Sequence, residues 1–128
     1  VLNQDTFELV NQYELQHNKQ YDGLYVGLED VKLFPHDDKL LYICNRGIRV
    51  GEIQVERGTI GPSGVCTSEL MNLENKNMVE KNWVLFYHRM NKTIQFVYNW
   101  YPLQIGTYTN ESENEPTRPF NSVISKKY

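Results

Sequence analysis

The most regular alternation of apolar and polar residues lies between Thr93 and Trp100. A period of two is typical of a β-strand whose two faces differ. One face would carry Ile94, Phe96, Tyr98 and Trp100, and the other Thr93, Gln95, Val97 and Asn99. The apolar run Trp83–Tyr87 predicts a preceding strand covered on both faces, with a polar turn at Arg89–Lys92 between the two. Beyond Pro102, Leu103–Thr109 predicts a third strand, so we expect an antiparallel meander over about 83–109.

A second set of short apolar runs precedes this one in the chain. Val31–Phe34 and Lys39–Cys44 are separated by the turn-rich cluster Pro35–Asp38, which predicts a β-hairpin. The hairpin should be the start of another meander.

The rest of that first meander is predicted from glycines. Arg46–Gly47 would turn the chain into a strand over Ile48–Val55, where the alternation breaks at Gly51 and indicates a β-bulge. The segment Gly58–Gly64 reads as a loop, and Val65–Leu73 as a fourth strand. The first meander is therefore expected over about 31–73.

Composition agrees with a β-rich fold. The 128 residues include nine Tyr and five Phe but no Ala, and aromatic residues favour strands over helices. Thr6–Leu15 stays ambiguous between a strand and a short helix, and Asn110–Pro119 predicts a loop or the way into a further element. The length fits one domain, residues 1–128, so we expect a single all-β domain built of antiparallel four-stranded meanders.

Charge and hydropathy exclude some classes of partner. A net charge of −3 gives no basic surface for nucleic acid, and no apolar run reaches the ~18 residues of a membrane span. The first residues lack the pattern of a signal peptide, and the absence of an initial Met predicts a piece of a longer chain. Localisation stays open, with the cytoplasm and a virion as alternatives.

The cysteines and histidines do not have the spacing of a metal site. Cys44 and Cys66 are too few for a structural zinc site, and His17, His36 and His88 are scattered. No metal or other cofactor is expected. The two cysteines could form a disulfide if their strands are adjacent, but buried free thiols are favoured.

An acidic pair at the start of the first strand is the main candidate for chemistry. Glu29 and Asp30 would lie at a sheet end, where one carboxylate can raise the pKa of its neighbour and leave a neutral acid. The alternative is a solvated turn. Val79–Asn82 opens the second meander in a similar way, roughly 50 residues later, which is a spacing typical of propeller blades. Both starts would then face one funnel.

Three ordered motifs resemble a known family. Gly27–Phe34 reads Gly-Leu-Glu-Asp-Val-Lys-Leu-Phe, Lys81–Trp83 reads Lys-Asn-Trp, and Tyr98–Gly106 reads Tyr-Asn-Trp-Tyr-Pro-Leu-Gln-Ile-Gly. Together they are similar to the five-bladed β-propeller carbohydrate-active proteins, including glycan-related propellers of bacteria and giant viruses. The resemblance covers about 27–106 and implies about two blades, 27–73 and 80–109, of a larger propeller. Unpaired sheet edges would then contact the rest of the chain or other protein copies.

The resemblance implies roles for individual residues. Asp30 would be the catalytic acid beside Glu29, and Lys32 stands where relatives carry an Arg that binds phosphate or sugar. Val31 replaces a Pro of the family's motif, and a Lys lacks the bidentate fork of Arg.

The remaining candidates are for sugar binding. Lys81 and Asn82 would hydrogen-bond sugar hydroxyls or close a turn, and Trp100 and Tyr101 would stack on a sugar or belong to the core. All are expected on one concave surface. Two functions stay open: a carbohydrate-processing enzyme, or a non-catalytic glycan-binding or structural module.

Overall fold

The fold is all-β, as predicted. The computed structural model describes residues 2–12, 14–17, 28–73, 75–108 and 120–127, the last of these through its backbone. The strands are β1 (Glu29–His36), β2 (Lys39–Arg49), β3 (Glu52–Ile60), β4 (Cys66–Leu73), β5 (Val84–His88), β6 (Thr93–Trp100), β7 (Leu103–Tyr108) and β8 (Phe120–Lys127). No helix occurs among the described residues. Gly27 and 109–119, which carry the predicted start of the first blade and the polar loop, lie outside them.

The first meander consists of β1 to β4, each antiparallel to the next. The predicted turn at Arg46–Gly47 is wrong, because these residues lie inside β2 and pair with Gln54 and Ile53 of β3. The chain reverses instead at Val50–Gly51, where Gly51 has φ 77° and supplies the left-handed conformation that a tight turn needs. The predicted bulge at Gly51 is therefore a hairpin turn.

The remaining predictions for this meander hold with shifted boundaries. β3 runs on through Gly58 to Ile60, so the loop before β4 is shorter than predicted and occupies Gly61–Gly64. Thr6–Leu15, left open between strand and helix, forms neither in its described part. Its only bridges there are isolated: Leu2 with Leu9, and Gln16, just beyond, with Val65.

The second meander consists of β5 to β8, also antiparallel in sequence order. β6 and β7 agree with the predicted strands. Of the predicted apolar face of β6, Ile94, Phe96 and Tyr98 pack in the core. Trp100 does not, because it is 64% exposed, and the other face is also covered at Gln95 and Val97. β8 was not predicted. It completes the second meander as a four-stranded unit like the first.

The two meanders are joined at both margins. β4 pairs in parallel with β8 through Met71–Leu73, giving the strand order β1-β2-β3-β4-β8-β7-β6-β5. At the other margin β1 meets β5, where the ring of His36 lies 4.7 Å from that of Tyr87. The pairing directions make β1 and β5 run the same way. The first strands of the two meanders, β1 and β5, therefore lie next to each other, and so do the last strands, β4 and β8.

The main core lies between the meanders. The Trp83 ring stacks on Phe96 with centroids 4.7 Å apart. The buried members of this core are Leu41, Ile43, Val55, Met71, Leu73, Trp83, Leu85 and Phe96. Burial of large side chains from both units stabilises their contact.

The registers reveal an internal repeat. In the first meander Leu33 pairs with Tyr42, which pairs with Gly58, and in the second Leu85 pairs with Phe96, which pairs with Gly106. In both, the aromatic ring covers the glycine so closely that a Cβ there would overlap it. Aligning Leu33 with Leu85 matches Asp30 with Asn82, Phe34 with Phe86 and His36 with His88. Asp30 and Asn82 share a left-handed backbone, with φ 51° and 66°.

The cysteines are free and buried, as favoured from the sequence. Cys44 is on β2 and Cys66 on β4, and β3 lies between these strands. The described residues contain no helix of membrane-spanning length and hydrophobicity.

Candidate functional site

The predicted site residues all lie toward one end of the sheet. We call it the leading end, meaning the end at which β1 and β5 begin. Because β6 runs antiparallel to β5, it finishes at this end with Trp100, and β7 starts there. The strand directions thus place here all seven predicted residues: Glu29, Asp30, Lys32, Lys81, Asn82, Trp100 and Tyr101.

Asp30 is held by a neighbour on β2. Asn45 Nδ2 donates a hydrogen bond of 2.8 Å to Asp30 Oδ2. Asn45 is itself only 5% exposed, so the carboxylate is anchored to a buried amide. The irregular register between Glu29 and Lys32 accompanies the left-handed backbone of Asp30, a conformation that Asp adopts more readily than most residues.

Lys32 and Glu29 have different surroundings from Asp30. Lys32 Nζ lies 3.5 Å from the carbonyl oxygen of Asp30, at the limit of a hydrogen bond, so its ammonium contacts the backbone rather than the carboxylate. Glu29 is exposed on the margin of β1. An anchored carboxylate, an exposed carboxylate and an ammonium therefore occupy the start of β1.

A buried carboxylate precedes Lys81 and Asn82. Glu80 is 4% exposed, and its Oε1 accepts hydrogen bonds from Asn77 N at 2.7 Å, Asn77 Nδ2 at 2.9 Å and Tyr98 Oη at 3.1 Å. Asn77 Nδ2 also donates to Tyr98 Oη at 3.0 Å. We call Asn77, Glu80 and Tyr98 the Glu80 network. Burial, reinforced by the Glu80 carboxylate, raises the pKa of Tyr98 and keeps its hydroxyl protonated.

The segment around this network is bound to β3. Ile53 N donates to Met78 O at 2.9 Å, and Glu80 N donates to Ile53 O at 2.8 Å. Gln54 Nε2 adds a bond of 3.1 Å to Asn77 O. Lys81 and Asn82, both exposed, thus leave a fixed backbone, with Asn82 in the left-handed conformation noted above.

Three aromatic residues near the leading end, the two candidates Trp100 and Tyr101 and the nearby Trp83, differ in burial. Trp83 is 2% exposed and belongs to the core, whereas Trp100 is 64% and Tyr101 93% exposed. Asn99 Nδ2 donates to Tyr101 O at 3.1 Å across the turn that follows β6, and the Tyr101–Pro102 peptide is cis. Of the candidate aromatic residues, Trp100 and Tyr101 are the ones available to a ligand.

The two halves of the site are linked through the sheet. Among the described residues, no hydrogen bond or ion pair joins Glu29 or Asp30 directly to Lys81 or Asn82, so their convergence on one ligand stays a prediction. Asn45 and Glu80, which hold the two halves, were not among the predicted site residues. The repeat carries a signal for Glu80, since the matching position in the first meander is the apolar Leu28.

A separate buried polar cluster lies on the other face of the first meander. Glu56 is fully buried, pairs with Arg46 Nη1 at 3.0 Å and accepts a hydrogen bond from the Ser68 hydroxyl. Burial, with the nearby Glu56 carboxylate, raises the pKa of Cys44 to about 12, which makes its thiol unreactive at neutral pH. Since Glu56 is fully buried and bonded to Arg46 and Ser68, we regard the cluster as structural.

No group of three or more His, Cys, Asp and Glu side chains is arranged to hold a metal ion in the part of the chain that the structure covers. Comparison with known proteins gave no matching family model, no similar curated protein and no similar solved structure.

Proposed function

We propose that the leading end binds glycans and that the chain is a carbohydrate-related module of two propeller-blade-like meanders. The observation that carries the proposal is the pair of exposed aromatic side chains, Trp100 and Tyr101, at the same end of the sheet as the anchored carboxylate of Asp30. A sugar presents an apolar face of C–H groups and a rim of hydroxyls. An aromatic surface beside polar side chains matches both.

The side chains at the leading end would make different contacts with a sugar. Trp100 would stack on the apolar face of a sugar ring, and the free Oδ1 of Asp30 would accept a hydrogen bond from a hydroxyl. Lys81 and Asn82 would donate to other hydroxyls or to an anionic substituent. Preorganisation of Asp30 by Asn45 lowers the entropy lost on binding.

The arrangement of the meanders supports the propeller part of the proposal. In a propeller, successive blades stack face to face, with their inner strands adjacent and running the same way. Here β1 and β5 meet through His36 and Tyr87, and large apolar side chains of both meanders fill the space between them. The short pairing of β4 with β8 departs from a propeller, in which each blade is a sheet of its own. Under this proposal β1 and β5 are inner strands, and the leading end opens toward the funnel.

An enzymatic function is the second candidate. It is favoured by the adjacent carboxylates Glu29 and Asp30, because glycoside hydrolysis commonly uses two carboxyl groups. Asn45 already donates to one oxygen of Asp30, so a proton for a glycosidic oxygen would have to come from the other oxygen. Stacking and hydrogen bonding need no such step, and we therefore put binding first.

The proposal can be tested with a panel of neutral and acidic oligosaccharides. Trp100→Ala should abolish binding of any glycan that the unmodified protein binds, because the stacking surface is removed. Met90→Ala is the control, since Met90 is an apolar residue in the β5–β6 turn at the opposite end and is more exposed than Trp100, at 88% against 64%. Equal binding by Trp100→Ala and the unmodified protein would refute the site. Turnover of a bound glycan that disappears in Asp30→Asn, with affinity retained, would establish the enzymatic function instead.

A further inference from the structure

The Glu80 network places a buried carboxylate where the fold itself does not require one. The repeat aligns Glu80 with Leu28 and Tyr98 with Cys44. In the first meander Leu28 packs against the apolar cluster that contains Cys44. The same position is thus filled by an apolar contact in one meander and by a hydrogen-bonded carboxylate and phenol in the other.

A buried carboxylate is costly to desolvate, and apolar replacements of similar volume often stabilise a protein. The first meander shows that such a replacement is compatible with this architecture. The polar version in the second meander therefore calls for a reason other than stability. Its position supplies one, because the network lies between the segment that carries Lys81 and Asn82 and the strand that ends in Trp100.

Glu80 is the residue before Lys81, and its hydrogen-bond partner Tyr98 lies two residues before Trp100 on β6. The network thus joins the segment that carries Lys81 and Asn82 to β6, the strand that ends in Trp100. Bonds from Glu80 N and Ile53 N anchor the same segment to β3. Rotation of this segment relative to β6 would break several hydrogen bonds at once.

We infer that Glu80 is a positioning residue, which holds Lys81 and Asn82 at a fixed distance from Trp100 so that one sugar contacts both. This inference rests on the proposed function of the leading end. Glu80 itself would not touch the ligand, since its side chain is only 4% exposed. A network of this kind would restrict the specificity of the site to glycans whose polar substituents match the distance from Lys81 and Asn82 to the Trp100 ring.

The test compares three variants. Glu80→Gln keeps an oxygen that can accept the same hydrogen bonds, and we expect glycan affinity to stay within about threefold of the unmodified protein. Glu80→Leu combined with Tyr98→Phe copies the apolar solution of the first meander and keeps the ring that packs 5.3 Å from Trp83. We expect this double variant to unfold at an unchanged or higher urea concentration and to bind glycan at least ~10-fold more weakly. Trp100→Ala serves as the reference for the site itself.

The outcomes separate the two claims. If Trp100→Ala abolishes binding while the double variant binds like the unmodified protein, the positioning role is overturned and the proposed function stands. If Trp100→Ala binds unchanged, the proposed function falls. A readout without ligand decides the positioning role independently. Backbone amides of the segment 75–82 should exchange hydrogen faster in the double variant than in the unmodified protein, whereas Glu80→Gln should leave the exchange rates unchanged. Equal exchange rates in the unmodified protein, Glu80→Gln and the double variant would overturn the inference.

Discussion

The ring of Phe96 lies directly over Gly106, its register partner on β7. Tyr42 lies over Gly58 in the same way in the first meander. An aromatic side chain that covers a glycine across an antiparallel pair removes the ring from water and leaves the neighbouring strand no room for a side chain. The recurrence of this aromatic–glycine pair at matching positions is the clearest sign that the two meanders form an internal structural repeat.

Gly106→Ala should destabilise the protein by about 1–3 kcal/mol, because the added methyl group would overlap the Phe96 ring and force it to move. Urea unfolding measures the change. Gly61→Ala is the control, since a Cβ there meets only Val65 O at an ordinary 3.5 Å. Phe96→Leu should recover part of the loss in the Gly106→Ala background, and no recovery would show that overlap with the ring is not the cause.

Arg46→Met should cost about 3 kcal/mol of unfolding free energy, since it leaves the fully buried Glu56 without its ion-pair partner. Arg46→Met combined with Glu56→Met should be less destabilising than Arg46→Met alone, because neither charge remains buried. The control is Arg49→Met, which removes a pair of 2.7 Å with Glu52 from an arginine side chain that is 71% exposed and leaves Glu52 with Lys76 at 3.9 Å. Its expected effect is below ~1 kcal/mol. Equal losses from both arginines would contradict the assignment.

At Asp30 glycine should be better tolerated than alanine. Both substitutions remove the hydrogen bond from Asn45, but with φ 51° only alanine meets the steric cost of the left-handed conformation, about 1 kcal/mol. The opposite order is expected at Leu33, an exposed residue of the regular part of β1. Chemical denaturation of the four variants gives the two differences. Alanine more stable than glycine at both positions would show that Asp30 is not strained.

Stability should fall as the pH rises above about 9. Because burial raises the pKa of Cys44 to about 12, the unfolded chain releases this proton first, and the folded state then carries an unfavourable bound proton. Between these values the loss is up to ~1.4 kcal/mol per pH unit. Cys44→Ala should show a shallower decline of unfolding free energy between pH 8.5 and 10, before most tyrosines ionise. An identical slope would mean that the thiol does not contribute.

The strands could be predicted wherever local alternation determined them. β6 is an example, because the alternation predicts Ile94 and Phe96 on one face of the strand and both pack in the core. The error at Arg46–Gly47 has a physical cause. A polar residue beside glycine is typical of a turn, but Arg46 pairs with Gln54 in the ladder between β2 and β3, and its side chain forms an ion pair with Glu56 of the neighbouring strand. These cross-strand contacts are not visible in the local pattern around Gly47.

The candidate site was predictable only in part. Exposed residues such as Lys81 and Trp100 could be placed from motif and strand direction, since such placement depends on topology alone. Asn45 and Glu80 could not, because their importance comes from hydrogen bonds to Asp30 and Tyr98, which lie far from them in the chain. The internal repeat is the exception. Once the registers are known, the two meanders can be aligned, and Glu80 is then unusual because its matching residue in the first meander is the apolar Leu28.

The parallel pairing of β4 with β8 is short, covering Met71–Leu73 against Phe120–Ser122, and it joins residues far apart in the chain. Every other pairing in the sheet connects sequence neighbours, which can zip together as hairpins at small entropic cost. The contact of β4 with β8 must wait until both meanders exist. Folding should therefore end with the joining of the two meanders, when this pairing forms together with the contact of β1 with β5 and the shared core.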